Sequence, residues 1–279
     1  KKKNKQTEAA DGRRRLSPIR QLPTAAGMSG RGGAPGQPLR GVRAVVTGGN
    51  RGIGRALVEA LLAREDTQVV ATCRDPDRAE GGSLAGLLQT FPGRLSLSEL
   101  DVASPESIGR WAGEGVGPGH VDVLINNAGV YGLKGHTTRM EVEDVTEEEM
   151  LFCFKTNCVG PLLVTQQLLA AGKLGGAAPS LVGNVTSKVG SIADNGSGGG
   201  YAYRASKAAM NVVNKSLSID LLERNVESVL LHPGWVQTDM TRGSGLITAQ
   251  DSAEGMLKIL ETPGMNGRWF DYKGEEVPW

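Results

Sequence analysis

The sequence predicts an α/β protein: one doubly wound parallel sheet with helices on both faces. Two observations carry that expectation. Short β-branched runs alternate with helix-length segments from Val42 onward, and a glycine-rich turn joins the first run to the first helical segment. Strands separated by segments long enough for a helix argue βαβ units, and hence a parallel sheet covered on both sides.

Taken in order, the candidate strands are "RAVVTGG", "TQVVATCR", "RLSLSEL", "VDVLINNAG", "PSLVGNVTS", "VESVLLHPG" and "GRWFDY", with the helical pattern "RALVEALLARE" between the first two. No stretch of linker composition interrupts residues 41–279, so these elements are expected to form one domain. Residues 1–40 differ. They hold ten Lys or Arg against two acidic residues, net +8, and are rich in Gly, Pro and Ser; the remainder carries 21 against 28, net −7. Such a segment buries too little apolar surface to offset its ordering entropy, and disorder is expected. A transit peptide, a polyanion-binding arm and translated sequence upstream of a start at Met28 all fit it. The location expected is therefore cytoplasmic, or organellar if the tail is a transit peptide.

Composition excludes several classes. No apolar run approaches the roughly 20 residues needed to span a bilayer. Cys73, Cys153 and Cys158 are odd in number and widely spaced, which speaks against a disulfide framework or a zinc site and for a reducing compartment. His120, His136 and His232 are isolated, and no metal is expected. A nucleic-acid partner is not expected either, because the folded part is acidic on balance.

The turn "TGGNRGIG" places Gly48, Gly52 and Gly54 at the first strand–helix junction, with Asn50, Arg51 and Ile53 between them. Glycine lets backbone turn sharply and approach a ligand, and the following helix start offers free N–H groups to a pyrophosphate. About 20 residues further on, the second strand ends in "ATCRD". An acid there would favour NAD(H), whereas a cation accommodates a 2′-phosphate. Cys73 stands in the acidic position and Arg74 follows it, with Arg51 as a second charge. NADP(H) is the expected cofactor, with NAD(H) as the alternative. Near the far end, "YAYRASK" presents two tyrosines. Only Tyr203 has a lysine four residues on, so Tyr203 and Lys207 share one helix face while Tyr201 does not.

Four motifs now stand in order: T-G-x-x-x-G-x-G at Thr47 to Gly54, N-N-A-G at Asn126 to Gly129, Y-x-x-x-K at Tyr203 to Lys207, and P-G-x-V-x-T at Pro233 to Thr238. With them residues 41–279 resemble the short-chain dehydrogenase/reductase family. The stretches "SKVGSIADNGSGGGYAYRASKAAMN" and "RWFDYKGEEVPW" resemble its C-factor and sniffer-like carbonyl reductase branch. The resemblance implies a Rossmann-type fold and an oxidoreductase that interconverts a small carbonyl and an alcohol. It implies Asn157, Ser187, Tyr203 and Lys207 as the catalytic set, with Asn157 positioning a water behind the lysine. It further implies that Asp101 and Val102 flank the adenine, that Asn127, Ala128 and Gly129 sit beside the cofactor, and that Pro233, Gly234, Val236 and Thr238 hold the nicotinamide carboxamide. The expected assembly is a homodimer or homotetramer. A regulatory or signalling protein of the C-factor type, binding the dinucleotide with little turnover, is the alternative reading; intact Ser187, Tyr203 and Lys207 favour the enzyme.

Overall fold

The computed structural model describes residues 36–135 and 141–279. Seven strands form one parallel sheet: β1 (Arg43–Thr47), β2 (Gln68–Cys73), β3 (Leu95–Glu99), β4 (Val123–Asn126), β5 (Ser180–Val185), β6 (Val226–His232) and β7 (Trp269–Asp271), in the spatial order β3-β2-β1-β4-β5-β6-β7. All seven runs read from the sequence are strands. In register, Val45 pairs with Val70 on one side and Leu124 on the other. Strand order therefore reverses between β1 and β4, the place where a doubly wound sheet opens a crevice at its carboxyl edge.

The helices are α1 (Gly52–Leu62), α2 (Pro76–Glu80), α3 (Ala85–Thr90), α4 (Pro105–Arg110), α5 (Glu147–Phe154), α6 (Gly160–Ala170), α7 (Tyr201–Asp220) and α8 (Ala249–Leu260). Apolar residues spaced three and four apart decide which face each buries. Leu57, Leu61 and Leu62 of α1 pack with Met256, Leu257 and Leu260 of α8 against Val46, Val69 and Leu231 on one face of the sheet. On the other face, Ile108 of α4 and Val164 and Leu168 of α6 join Trp111 against Val45, Leu124 and Val182. This two-sided covering is a Rossmann-type architecture.

One residue that the sequence reading gives to the tail packs with the folded part. Leu39, assigned there to the tail, is 1% exposed, its N–H donates to Glu261, and its carbonyl accepts the Thr67 hydroxyl. One apolar side chain among glycines and prolines is too weak a signal to mark a domain edge. The rest of the expected tail, residues 1–35, and His136 lie outside the described residues. Between α5 and α6 the chain makes a wider π-type turn at Lys155–Val159 instead of a plain helix, and such turns often mark functional positions. Among the described residues no helix is long and apolar enough to cross a membrane.

Candidate active site

The glycine turn after β1 is built by contacts that leave no room for a side chain. A Cβ on Gly54 would lie 2.1 Å from the Gly48 carbonyl oxygen, so α1 starts pressed against the turn that precedes it. Arg51, at the N-cap, makes no side-chain cap; the first N–H groups of α1 therefore remain for an anion. Gly48 has φ +65° and its turn is braced by the loop after β4: Asn127 Nδ2 donates to the Thr47 carbonyl at 2.9 Å, and Thr47 Oγ1 accepts from the N–H groups of Asn127 and Ala128. Asn127 thus shapes the crevice by holding its walls together. The Asn50 carbonyl accepts from Ser83, and Ile53 packs down onto the core.

Beyond the turn, Arg74 is exposed immediately after β2, while Cys73 is buried and its thiol pKa is raised by burial. Arg51 is only 3.7 Å from Asp239, an exposed pair that spans the crevice mouth. At the end of β3, Asp101 accepts from the Ala103 N–H and Val102 is buried. After β6, Thr238 and Thr241 cap each other, Val236 is buried, and Pro233 accepts the Ser252 hydroxyl. A Cβ on Gly52 would sit 3.4 Å from Thr238 Cγ2, so the loop after β6 closes over the glycine turn.

The Tyr–Lys pair stands beside this crevice. Lys207, 4% exposed, donates from Nζ to the Val185 carbonyl at 2.9 Å and lies 5.7 Å from the Tyr203 ring centroid. Ser187, two residues beyond β5, faces the phenol and favours its ionised form. Burial pushes the Tyr203 phenol up to about 12; Ser187 opposes that shift, and nearby Tyr131 and Cys153 add to it. Burial pulls the Lys207 ammonium down to about 8. The phenol is thus a proton donor at neutral pH, beside an ammonium close to its own titration. Tyr201, at the first position of α7, is exposed.

Asn157 sits in the π-type turn, and both ends of its side chain are engaged. Oδ1 accepts from the Val130 N–H at 2.9 Å, while Nδ2 donates to the Val130 carbonyl and to Ser206 Oγ. The side chain expected to hold a water is a brace between α7 and the loop after β4. Gly129 fills the gap between the two: a Cβ there would lie 3.2 Å from Asn157 Oδ1 and 3.5 Å from Lys207 Nζ.

Sequence reasoning missed several neighbours. Tyr131 stacks on Tyr203 with ring centroids 4.8 Å apart and a 32° tilt. Its backbone is fixed from α5, where Cys153 donates to the Tyr131 carbonyl and the buried Glu149 accepts from the Leu133 N–H. Glu149, Cys153 and Asn157 recur every four residues along one helix face, a spacing that was visible but had no known target. Beneath Lys207 runs a buried amide chain: Asn126 Nδ2 donates to Asn184 Oδ1, and Asn184 Nδ2 to Asn214 Oδ1, each at 2.8 Å, with Ser228 completing the group.

Fold and site together define a class of dinucleotide-dependent oxidoreductase, and the comparisons give its family. Residues 43–246 match the short chain dehydrogenase family model; the chain belongs to that family. It is 48% identical over 163 residues to the C-signal of Myxococcus xanthus, covering 58% of this chain and 94% of that one. It is similar to the NADPH-bound carbonyl reductase from chicken fatty liver (TM-score 0.73, 34% identity, 85% and 98% of the two chains). The carbonyl reductase Sniffer of D. melanogaster is similar as well (TM-score 0.75, 30% identity, 86% and 100%).

Proposed function

We propose that this chain interconverts a small carbonyl compound and its alcohol with NADP(H), using Tyr203 as the proton donor, Ser187 and Lys207 as its partners and Asn157 as their brace. The observation that carries the reading is the cluster of Ser187, Tyr203 and the buried Lys207 beyond the carboxyl end of β5, beside a glycine turn whose helix start is uncapped. The donor set fits a dinucleotide: free N–H groups for the pyrophosphate, Gly129 clearing space beside Lys207, and Thr238 at the crevice wall. When bound, that cofactor supplies the hydride.

The residues of the chain do the rest. Ser187 holds the substrate oxygen as negative charge develops on it, and Tyr203 delivers the proton. Lys207 orients the phenol and, by its charge, favours the phenolate left behind. The preference for NADP(H) rests on exposed Arg74, which follows Cys73 at the place of a ribose-binding acid, and on the NADPH-bound chicken relative. A second reading, a dinucleotide-binding signalling protein with little turnover, has the C-signal relative in its favour. Turnover of a panel of aldehydes and ketones with NADPH and with NADH decides between them: measurable NADPH oxidation that tracks alcohol formation supports the enzyme, and tight NADPH binding without product supports the alternative.

A further inference from the structure

The segment between Ser187 and Tyr203 forms one wall of the site, yet burial does not hold it. Residues 192–198 are all exposed, Ile192 at 83%. Gly198, Gly199 and Gly200 follow one another at φ +61°, +66° and +57°, a run that glycine alone tolerates and that is costly to order. Most bonds of this segment stay within it: Asp194 N–H to Ser191 Oγ, Gly198 N–H to Asn195 Oδ1, and a half-exposed Lys188–Asp194 pair. Besides the Lys188 N–H, which donates to His232 Nδ1 at the very start of the segment, two ties among the described residues hold it to the body of the protein. One is the Ala193 N–H donating to the Trp279 carbonyl at 2.9 Å.

The other is Arg204, the residue after Tyr203. Its guanidinium donates from Nε to the Gly199 carbonyl at 3.0 Å, from one terminal nitrogen to the Val189 carbonyl at 3.0 Å, and from the other to Ser197 Oγ at 2.8 Å. One side chain therefore joins the beginning of the segment to its end and fixes both to α7. A Cβ on Gly200 would lie 3.3 Å from the Tyr131 hydroxyl and 3.9 Å from Arg204 Nε, so the clamped end of the loop abuts the ring that covers Tyr203.

We propose that Arg204 is a positioning residue: a latch that holds residues 189–200 as a fixed wall of the substrate pocket, against Tyr131. Three acceptors in three directions require the planar five-donor fork of arginine; the single ammonium of lysine cannot serve them together. The kinetic consequence rests on the reductase reading above, whereas the ordering of the loop does not.

The test compares the full-length protein with Arg204→Ala, Arg204→Lys and the milder Ser197→Ala by amide hydrogen exchange and by steady-state kinetics. In Arg204→Ala, amides of residues 193–200 exchange on the order of tenfold to a hundredfold faster, as the loss of three hydrogen bonds implies. KM for the carbonyl substrate rises by about the same factor while kcat falls less, because Tyr203, Ser187 and Lys207 remain. Arg204→Lys behaves like the alanine variant, millimolar guanidinium restores protection to Arg204→Ala, and Ser197→Ala loses only part of it. Unchanged exchange in Arg204→Ala, full protection in Arg204→Lys, or a loss of protection spread through β4, β5 and β6 instead of confined to the loop overturns the proposal. Should the wild-type protein reduce no carbonyl at all, the exchange arm still decides for or against the latch.

Discussion

On one side of the switch point, β1 and β2 are packed between apolar layers, with Val46, Leu57, Leu61, Val69 and Leu257 in a single core cluster. On the other side, β4, β5, β6 and α7 bury Asn126, Asn184, Asn211, Asn214, Ser228 and Lys207. The first half offers a ligand mainly backbone, so its requirement is glycine at the right places and little else. The second half offers side-chain functional groups, and their burial is costly unless each finds a partner. Asn126 and Asn214 each keep one buried polar atom without a partner. On the proposed reading, the first half is a cofactor cradle stabilised mainly by packing, and the second half carries most of the buried polar groups.

The largest effect expected is on the second half. Tyr203→Phe keeps the ring against Tyr131 and removes the proton donor, so carbonyl reduction falls about 10²- to 10⁴-fold while NADPH affinity, measured by fluorescence titration, stays the same. Tyr201→Phe, on an exposed ring at the start of α7, retains most activity. A dead Tyr201→Phe enzyme would reverse the assignment made from spacing.

The matching blow to the cradle is Gly54→Ala. Its methyl meets backbone at the Gly48 carbonyl, where nothing flexible can yield. A loss of about 3 kcal/mol of stability is expected in denaturant unfolding, together with loss of NADPH binding. A variant that folds and binds as well as wild type would mean that the turn is looser than its contacts indicate.

Lys207→Met sharpens the contrast in the opposite direction. The folded pKa of Lys207 is about 8 against an ordinary 10.5, so the buried ammonium costs stability at neutral pH. That cost is relieved as pH rises from about 8 towards 10.5. Removing the charge while keeping the volume should stabilise the cofactor-free protein by about 2 kcal/mol at pH 7, after allowing for the lost bond to Val185. The gain should shrink above pH 8, and activity should vanish. A destabilised methionine variant at pH 7 would show that Lys207 holds the structure together instead of straining it.

The smallest expected change concerns cofactor choice. Arg74→Asp should lower the preference for NADPH over NADH by about tenfold or reverse it, about 1.4 kcal/mol, as one exposed charge is exchanged for its opposite. Equal affinities for the two cofactors in the unaltered protein would remove the basis for this assignment.

The same division explains what could be read in the sequence. Strands β1, β2, β4, β5 and β6 were legible as short β-branched runs bounded by turn residues, β3 through its Leu–Ser alternation and β7 through its adjacent aromatics, and the glycine turn because its spacing is local. Tyr203 and Lys207 were legible through their four-residue interval on one helix. Tyr131 was not: its contact with Tyr203 joins residues 72 positions apart, and it depends on anchors from Glu149, Cys153 and Asn157 on a third element. Arg204 was hidden in a different way, since its three partners are backbone carbonyls and a serine in a glycine-rich stretch without helical or strand periodicity. Asn184 and Asn214 sit in elements whose apolar pattern was otherwise clear, and nothing local marks them as partners.

The central claim is that the triad beside the glycine turn performs hydride transfer to a carbonyl carbon. The direct measurement is isotopic. The protein is incubated with NADPH carrying deuterium at both C4 positions and an aldehyde or ketone that it turns over, and the product is examined by mass spectrometry and proton NMR. One deuterium on the former carbonyl carbon of the alcohol, with matching NADP⁺ formation and no such product from Tyr203→Phe over the same interval, is the predicted result. Bound NADPH with no deuterated alcohol from any member of a broad carbonyl panel, or equal deuterium transfer by the Tyr203→Phe variant, would contradict it.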